Sequence, residues 1–487
     1  MKKIILPLAL LLMSSPCIHA QSTDDTKPQA STTTTKKSDL GQRLIDDFLD
    51  KRRHPKVIDT SANAEPFSQY DLTWLNGGDR RHENPFAGKY FTPIIMVDVN
   101  YTASLAHPID NTVVGSTALA RNNEVEISLA SVGGEFNYKG ARAKIQLQFG
   151  TRSTVVPRND ASWNRGGYDL KTAYQYFSEA YAGYHINKMH GINIDAGIFM
   201  SYVGLFSYYN CENWTYQPSY TSDNTPWFFN GVRIQLFPSA KLKQEIWIIN
   251  GWQTYGKFNN MPGLGSQTTW SPKENIRVVS NNYFGTDVAG NTKCFRFHSD
   301  NSFLLRYYNN PTGKFSKAAF SVTADLGFQE GGGLGGFGAG LANGPQSNFL
   351  SWMAYNNLWF GKDHFSLCLG AGMMHNPGRY LVLAPTGDAD PNTNPATGQT
   401  IGTHPYSLNP GDRFDAWDLS ASLSWMPNDF LTFTLQAIHR QALEDYFAGH
   451  GGVTSPNGYN GTPIPAGWAP DLVKQETRFI AAMMVRF

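Results

Sequence analysis

From about Tyr90 to Phe487 the chain repeats one pattern: apolar and polar residues alternate for a short stretch, a connection intervenes, and the alternation resumes. In WDLSASLSW, Trp417, Leu419, Ala421, Leu423 and Trp425 share one face, and Asp418, Ser420, Ser422 and Ser424 share the other. A period of two is a β-strand with two unlike faces. EVEISL, ARAKIQLQF, GINIDAGI, GVRIQLF, KAAFSVTADLGF, HFSLCLGA and LTFTLQA divide in the same way. The connections alternate too. Short polar turns lie near Lys139, Lys188, Ser239, Lys273, Thr312, Lys362 and Asn428. Three of them (LFPSAK, TWSPKEN, SWMPNDF) place Pro just after an aromatic residue, where it presets φ and ends the ladder. Loops rich in Gly, Asn and Pro run between the pairs, over about 105–123, 150–172, 200–230, 252–263, 285–300, 329–347, 375–415 and 443–472. Seven hairpins with one further strand at each end make sixteen strands.

An even strand count with alternating short and long connections predicts an all-β fold, a transmembrane antiparallel β-barrel over 89–487, closed so that no edge is left. The Trp residues decide between this barrel and a soluble sandwich. Trp is rarely buried completely and favours an apolar–polar boundary. Eight steps from Trp417 to Trp425 at roughly 3.3 Å each span about 26 Å along the strand. Tilted by about 40°, that is roughly 20 Å of height, near the apolar band of an outer-membrane barrel. The apolar stripe then meets lipid and the Ser/Asp stripe meets the lumen. The register assigns Ile127, Leu147, Ile194, Ile234, Val322, Leu367, Leu419 and Leu435 to lipid. It groups Val125, Ile127 and Leu129 on one face. Charged residues are 16% of the chain, against about 25% in a soluble domain. The net charge of +1 implies no nucleic-acid partner. Beyond the first residues there is no apolar run of about 18 residues, so no spanning helix is expected.

Residues 1–20 read as a secretory signal, with Lys2 and Lys3 before the apolar stretch 4–13 and Ala20 at the cleavage point. Cys17 leaves a lipoprotein reading open. Residues 21–88 are expected to be a tail on the periplasmic side. It carries one short amphipathic helix in SDLGQRLIDDFLDKR, where Leu40, Leu44, Ile45 and Phe48 share a face behind a Ser38 or Asp39 cap. Cys211, Cys294 and Cys368 remain after the signal. Three thiols cannot all pair, so no disulfide scaffold is implied, although a Cys211–Cys294 bridge stays open.

QETRFIAAMMVRF sets Phe479, Ala481, Met483, Val485 and Phe487 on one face. An alternating strand with a terminal aromatic is similar to the signal read by the barrel-insertion machinery of Gram-negative outer membranes. A longer block, from Phe177 to Trp252, carries a family resemblance. It comprises FSEAYAGY, then GINIDAGIF, then the aromatic loop VGLFSYYNCENWTYQPSY, then NTPWFFNGVRIQLFP and EIWIINGW. This block resembles the OmpL-like β-barrel porin family. The resemblance implies an outer-membrane barrel passing small hydrophilic solutes passively, in contact with outer-membrane lipid and the insertion machinery. It supplies no particular solute. The acidic residue usual soon after the loop-entrance Gly is absent here until Glu212.

Chemistry-bearing motifs are few. GGGLGGFGAG lacks the Lys-Ser/Thr and the helix of a phosphate loop. Neither HExxH nor CxxC occurs, and no cofactor, metal or catalytic residue is assigned. The candidate residues are those of the pore. By the strand register these are Glu124, Glu126, Arg142, Lys144, Asp195, Arg233, Arg306, Lys317, Asp325 and Asp418, with Arg478 and Arg486 on the same face; their mixed signs point to no ion preference. A sixteen-strand lumen is wide enough for solutes, so something must narrow it. The loop 201–226 holds Phe206, Tyr208, Tyr209, Trp214, Tyr216 and Tyr220, too many aromatics to leave in water. It is expected to pack inside, its tyrosine hydroxyls meeting Arg142, Lys144 or Arg233; an outward loop that rests on the membrane surface or covers the mouth is the alternative. A barrel hydrolase and a surface-binding or adhesion barrel using the loop 375–415 are the alternatives to a diffusion channel.

Overall fold

The computed structural model describes residues 66–487 apart from 158–159, 161, 163–166, 288–291, 294, 330–346, 377–379, 382–413 and 458–464. The signal segment, the helix expected near 38–52, Cys294, the stretch GGGLGGFGAG and most of the loop 375–415 lie outside the described residues. The strands are β1 (Phe91–Ser104), β2 (Val125–Tyr138), β3 (Ala141–Phe149), β4 (Phe177–Ile186), β5 (Ile192–Met200), β6 (Phe228–Ser239), β7 (Leu242–Ile249), β8 (Gly263–Lys273), β9 (Ile276–Gly285), β10 (Arg296–Asn309), β11 (Phe315–Gln329), β12 (Ser347–Phe360), β13 (Phe365–His375), β14 (Asp415–Asn428), β15 (Leu431–Ala442), β16 (Phe447–Ala448), β17 (Leu472–Val473) and β18 (Gln475–Arg486). β16 and β17 form a separate ribbon. The other sixteen close into one antiparallel barrel, each beside its sequence neighbours. β1 seals against β18, with Val97 opposite Val485 and Tyr101 opposite Ala481. Seven tight turns therefore share one rim and eight longer connections share the other.

The alternation in sequence becomes alternation in space. On β14, Trp417, Leu419, Leu423 and Trp425 are exposed on the outer surface, while Asp418, Ser422 and Ser424 are buried inside. Ring pairs band both rims. At the short-turn rim Phe91 stacks on Phe136 with centroids 4.5 Å apart, Tyr308 on Phe315 at 4.7 Å and Trp425 on Phe433 at 5.1 Å. At the long-loop rim Phe284 meets Phe297 at 5.0 Å, and Phe297 meets Phe328 at 5.6 Å. These are the interfacial belts of an outer-membrane barrel. The β2–β3 turn shows why its residues are there. Lys139 and Gly140 both take positive φ, 49° and 86°, the geometry of the tight hairpin turn that matches strand twist.

One assignment is corrected. A bulge in the β1–β2 ladder, between Asp98 and Val99, slips the register, so Leu129 turns inward and is buried while Ile127 stays outside. An added residue in one strand reverses every later side chain up to the next correction, and nothing in EVEISL marks it.

Residues 66–88 contain no helix or strand, yet they are built into the barrel's short-turn end. The Phe67 N–H donates to the Ala240 carbonyl at the β6–β7 turn, the Trp74 indole to the Glu274 carbonyl at the β8–β9 turn, and Arg80 to the Asn428 and Leu431 carbonyls at the β14–β15 turn. Trp74 is fully buried and packs in one apolar cluster with Phe206, Trp214, Met353, Tyr355 and Trp359. The segment thus spans the short-turn mouth.

The register has a direct check. An Arg at Leu419, outside and between the two Trp, should cost roughly 2–4 kcal/mol when unfolding is measured in lipid. An unchanged urea midpoint for Leu419→Arg would show that this face does not meet the bilayer.

Candidate functional site

The connection between β5 and β6, residues 201–227, folds into the barrel and crosses it. It starts at β5 and bonds to β12, β14, β15, β18 and β1, on the far side of the strand order. Ser219, just before the helical turn Tyr220–Asn224, is its main anchor. The Ser219 N–H donates to Tyr355 Oη at 2.7 Å, its hydroxyl to Asp418 Oδ2 at 2.7 Å, and the Tyr220 N–H to the same carboxylate oxygen at 3.1 Å. Gln217 and Gln436 exchange two bonds: the Gln217 N–H reaches Gln436 Oε1 at 2.8 Å, and Gln436 Nε2 donates to the Gln217 carbonyl at 2.9 Å. Arg440 donates to the Pro218 carbonyl at 2.5 Å and pairs with Asp223 at 3.2 Å. Toward β1, Asp98 accepts from Tyr216 Oη at 2.8 Å and Asn210 Nδ2 at 2.9 Å. Arg486 forms an ion pair with Glu212.

The barrel wall is shaped for this crossing. A Cβ at Gly372 would stand 2.0 Å from Ser219 Oγ, and one at Gly265 would stand 2.0 Å from Tyr202 Oη. Only glycine lets the crossing segment approach so closely at these points. The aromatic residues of the loop find their cover inside. Phe206 and Trp214 join Trp74, and the Trp214 indole donates to the Trp74 carbonyl at 3.1 Å. Tyr208 donates to Gln148 Oε1 at 2.5 Å, and Tyr209 to Glu179 at 3.1 Å. The expected partners Arg142, Lys144 and Arg233 are not the ones the tyrosines use; the acceptors are Gln148, Glu179 and Asp98, because a neutral phenol donates more favourably to an oxygen than it accepts from a cation already held by acids. Burial pushes the Tyr208 hydroxyl up to about 12 and holds Tyr209, Tyr216 and Tyr220 well above the usual phenol range, so these hydroxyls remain neutral.

The lumen wall is asymmetric. From β3 to β7 its basic side chains keep solvent contact, while Asp195 and Glu245 beneath them are buried. Asp195 lies between Arg233, 2.9 Å away, and Arg142, 3.3 Å away. Lys144 bridges Glu179 at 2.7 Å and Glu135 at 3.3 Å. Lys243 meets Glu245 at 2.7 Å, and the Trp247 indole donates to the same carboxylate at 2.9 Å. The Arg233 guanidinium lies over Phe199, 4.5 Å from the ring centre. Side chains of Arg142 and Lys243 are 22% and 21% exposed, whereas those of Arg440 and Arg478, behind the crossing loop, are 1% exposed.

The remaining candidates are dispersed. Glu126 is buried near the long-loop rim, accepting from the Arg121 N–H and from Thr151. Arg306 pairs with Asp71 and Glu274, and Lys317 with Asp363 at 2.7 Å; both are held against the short-turn rim. Asp418 is consumed by the loop anchor, and Asp325 is covered on β11. Glu124 is corrected. It precedes β2, sits in the loop and pairs with Arg121 at 2.7 Å, so it is no part of the wall. The alternation was carried one residue past the strand's start. Phe487 is exposed, between Phe86 and Phe430 at the short-turn rim. Lys243, Glu245, Glu179 and Asp98 belong to this site and were not singled out in sequence. KQEIWII does put Lys243 and Glu245 on one face, but that face continues into Trp247 and Ile249, which hides its polarity.

Asp300 and Asp325 are directly opposed in the β10–β11 ladder and both are buried. Asn281 donates to Asp300 at 2.6 Å, and His298 lies 3.5 Å from Asp325; no Arg or Lys pairs with either acid among the described residues. Two carboxyls this close and this dry cannot both ionise without opposing folding. Asp325→Asn should therefore raise stability by about 1 kcal/mol or more, read as a higher urea midpoint in lipid. A lower midpoint would show that the second carboxylate holds a counter-charge.

A search of curated proteins finds no match to the chain. Among solved structures it is similar to the outer membrane channel DcaP of Acinetobacter baumannii (10% identity, 82% of this chain and 97% of that one, TM-score 0.46). It is also similar to OmpT of Vibrio cholerae (8%, 82% and 99%, 0.45) and to an anion-selective porin from Comamonas acidovorans (9%, 82% and 99%, 0.44). Likenesses this distant decide nothing about a solute. The family comparison does carry weight: residues 95–487 match the model described as Putative beta-barrel porin-2, OmpL-like. The match spans nearly the whole barrel, and the chain belongs to that family, an outer-membrane β-barrel of the porin type.

Proposed function

We propose that this porin is a loop-restricted diffusion channel, in which small hydrophilic solutes pass along the β3–β7 wall, beside the crossing loop 201–227. The observation that carries this reading is the asymmetry of the lumen: one wall is sealed to about 1% exposure by the loop, while the facing charges at Arg142 and Lys243 remain hydrated. On that wall Asp195, Glu179 and Glu245 each have a basic partner within 3.3 Å. Paired charges give short-range fields, which suit polar solutes and sort ions weakly. The residues proposed to line the path are Arg142, Lys144, Asp195 and Arg233, with Lys243 and Glu245 added. Phe206, Tyr208, Tyr209, Trp214, Tyr216 and Tyr220 are proposed to form the constriction. Transport rather than catalysis is the reading favoured by the porin family. The outward stripe of β18 ending at Phe487 is the proposed contact for the insertion machinery, with the short-turn rim periplasmic.

Removing residues 206–220 should raise single-channel conductance and admit larger sugars in liposome swelling. Arg440→Met keeps the loop but cuts its tie to Asp223. Breaking a buried pair costs about 3–5 kcal/mol, so this variant should show larger or noisier openings even if the deletion fails to fold. Unchanged conductance and size limit in both folded variants would place the constriction elsewhere. Lys144→Gln should leave Glu179 and Glu135 without their cation and shift the reversal potential toward cation preference. No shift would remove that wall from the conduction path.

A further inference from the structure

The lipid-facing surface of the barrel is apolar over most strands, but across β7–β10 it is interrupted at mid-height. Cross-strand partners share a face, so the ladders align a row of Gln244, Thr268, Ser280 and Asn301 on the outside. A second row, one step toward the long loops, aligns Ser266, Asn282 and Ser299. Apolar side chains bound the patch on its own strands, Leu264, Phe284 and Phe297 above and Trp270, Val278 and Phe303 below. The flanking strands are apolar at the same height: Ile234 and Leu236 on β6, Ala324 and Leu326 on β11. The patch therefore lies within the apolar band and not at a headgroup boundary.

Hydrocarbon gives such groups no partner. Some bond among themselves: Thr268 Oγ1 donates to Gln244 Oε1 at 2.6 Å, Ser280 Oγ to Asn301 Oδ1 at 2.7 Å, and Asn301 Nδ2 to Ser299 Oγ at 2.9 Å. The side chains of Ser266 and Asn282 gain no partner from the described residues. The composition of the patch identifies its occupant. It carries no charge, so it is not suited to a headgroup or an ionic partner. Carboxamides and hydroxyls both donate and accept, so a surface built only of them is complementary to itself. A symmetric contact between copies asks for that property, because each patch must satisfy its own image. Interhelical contacts in membranes use the same side chains for the same reason.

We infer that the outer face of β7–β10 is an interface with a second copy of this chain within the membrane. Extracted in mild detergent, the full protein should run as an oligomer by light scattering. Asn282→Leu combined with Asn301→Leu should convert it to a monomer that still shows a folded barrel's heat-modifiable migration, since the substitutions make the face more lipid-compatible. In membranes, a thiol crosslinker should join copies of Asn301→Cys and not of Leu419→Cys, which lies on the face of β14. A monomeric wild type in membranes would overturn the interface. So would oligomers that survive the double substitution, equal crosslinking at both positions, or adducts only with another protein.

Discussion

Everything in this structure follows from the demand that a backbone in hydrocarbon pair all its own N–H and C=O groups. A sheet meets that demand only when it closes, and the β1–β18 seam closes this one. Closure fixes the strand count to the number of alternating segments and forces the outer stripe to be apolar. It also creates the next problem. Sixteen strands enclose a lumen wider than side chains alone can fill. The interior must be water, or other parts of the chain must enter it.

Here the chain enters from both ends of the lumen. Residues 66–88 span the short-turn mouth and drive Trp74 inward, where Trp214 of the crossing loop meets it. The loop is fixed by wall side chains rather than by its own secondary structure, which amounts to one helical turn and a short 3-10 turn. That makes the polar lumen stripe serve two purposes. Asp98, Asp418, Gln436 and Arg440 are spent on holding the loop; Arg142, Lys144, Arg233 and Lys243 are left to water. Both sets have the same sequence signature, a polar residue at an inward position, and they are separated only by where the loop crosses.

That separation explains what was legible in the sequence. Strand number, turn positions and outward stripes were readable because each depends on near neighbours: period two, a Pro or Gly turn, an aromatic at the stripe's end. Leu419 and Trp425 declare their face without help from the rest of the molecule. The lumen is different. Whether Asp418 lines a path or anchors Ser219 depends on a residue about two hundred positions away, and no local pattern carries that. The bulge beside Leu129 and the inward Trp247 also defeated alternation, the first through an unpaired residue, the second because an aromatic-lined interior tolerates an apolar inward side chain. The outer patch on β7–β10 reverses the same logic. SQTT, VVSNNY and HSDNSF are polar on both faces, so alternation there gives no stripe at all. A barrel in lipid has no intrinsic reason to make both faces polar. Where it does, a second surface is needed to complete the hydrogen bonding that the fold itself leaves open.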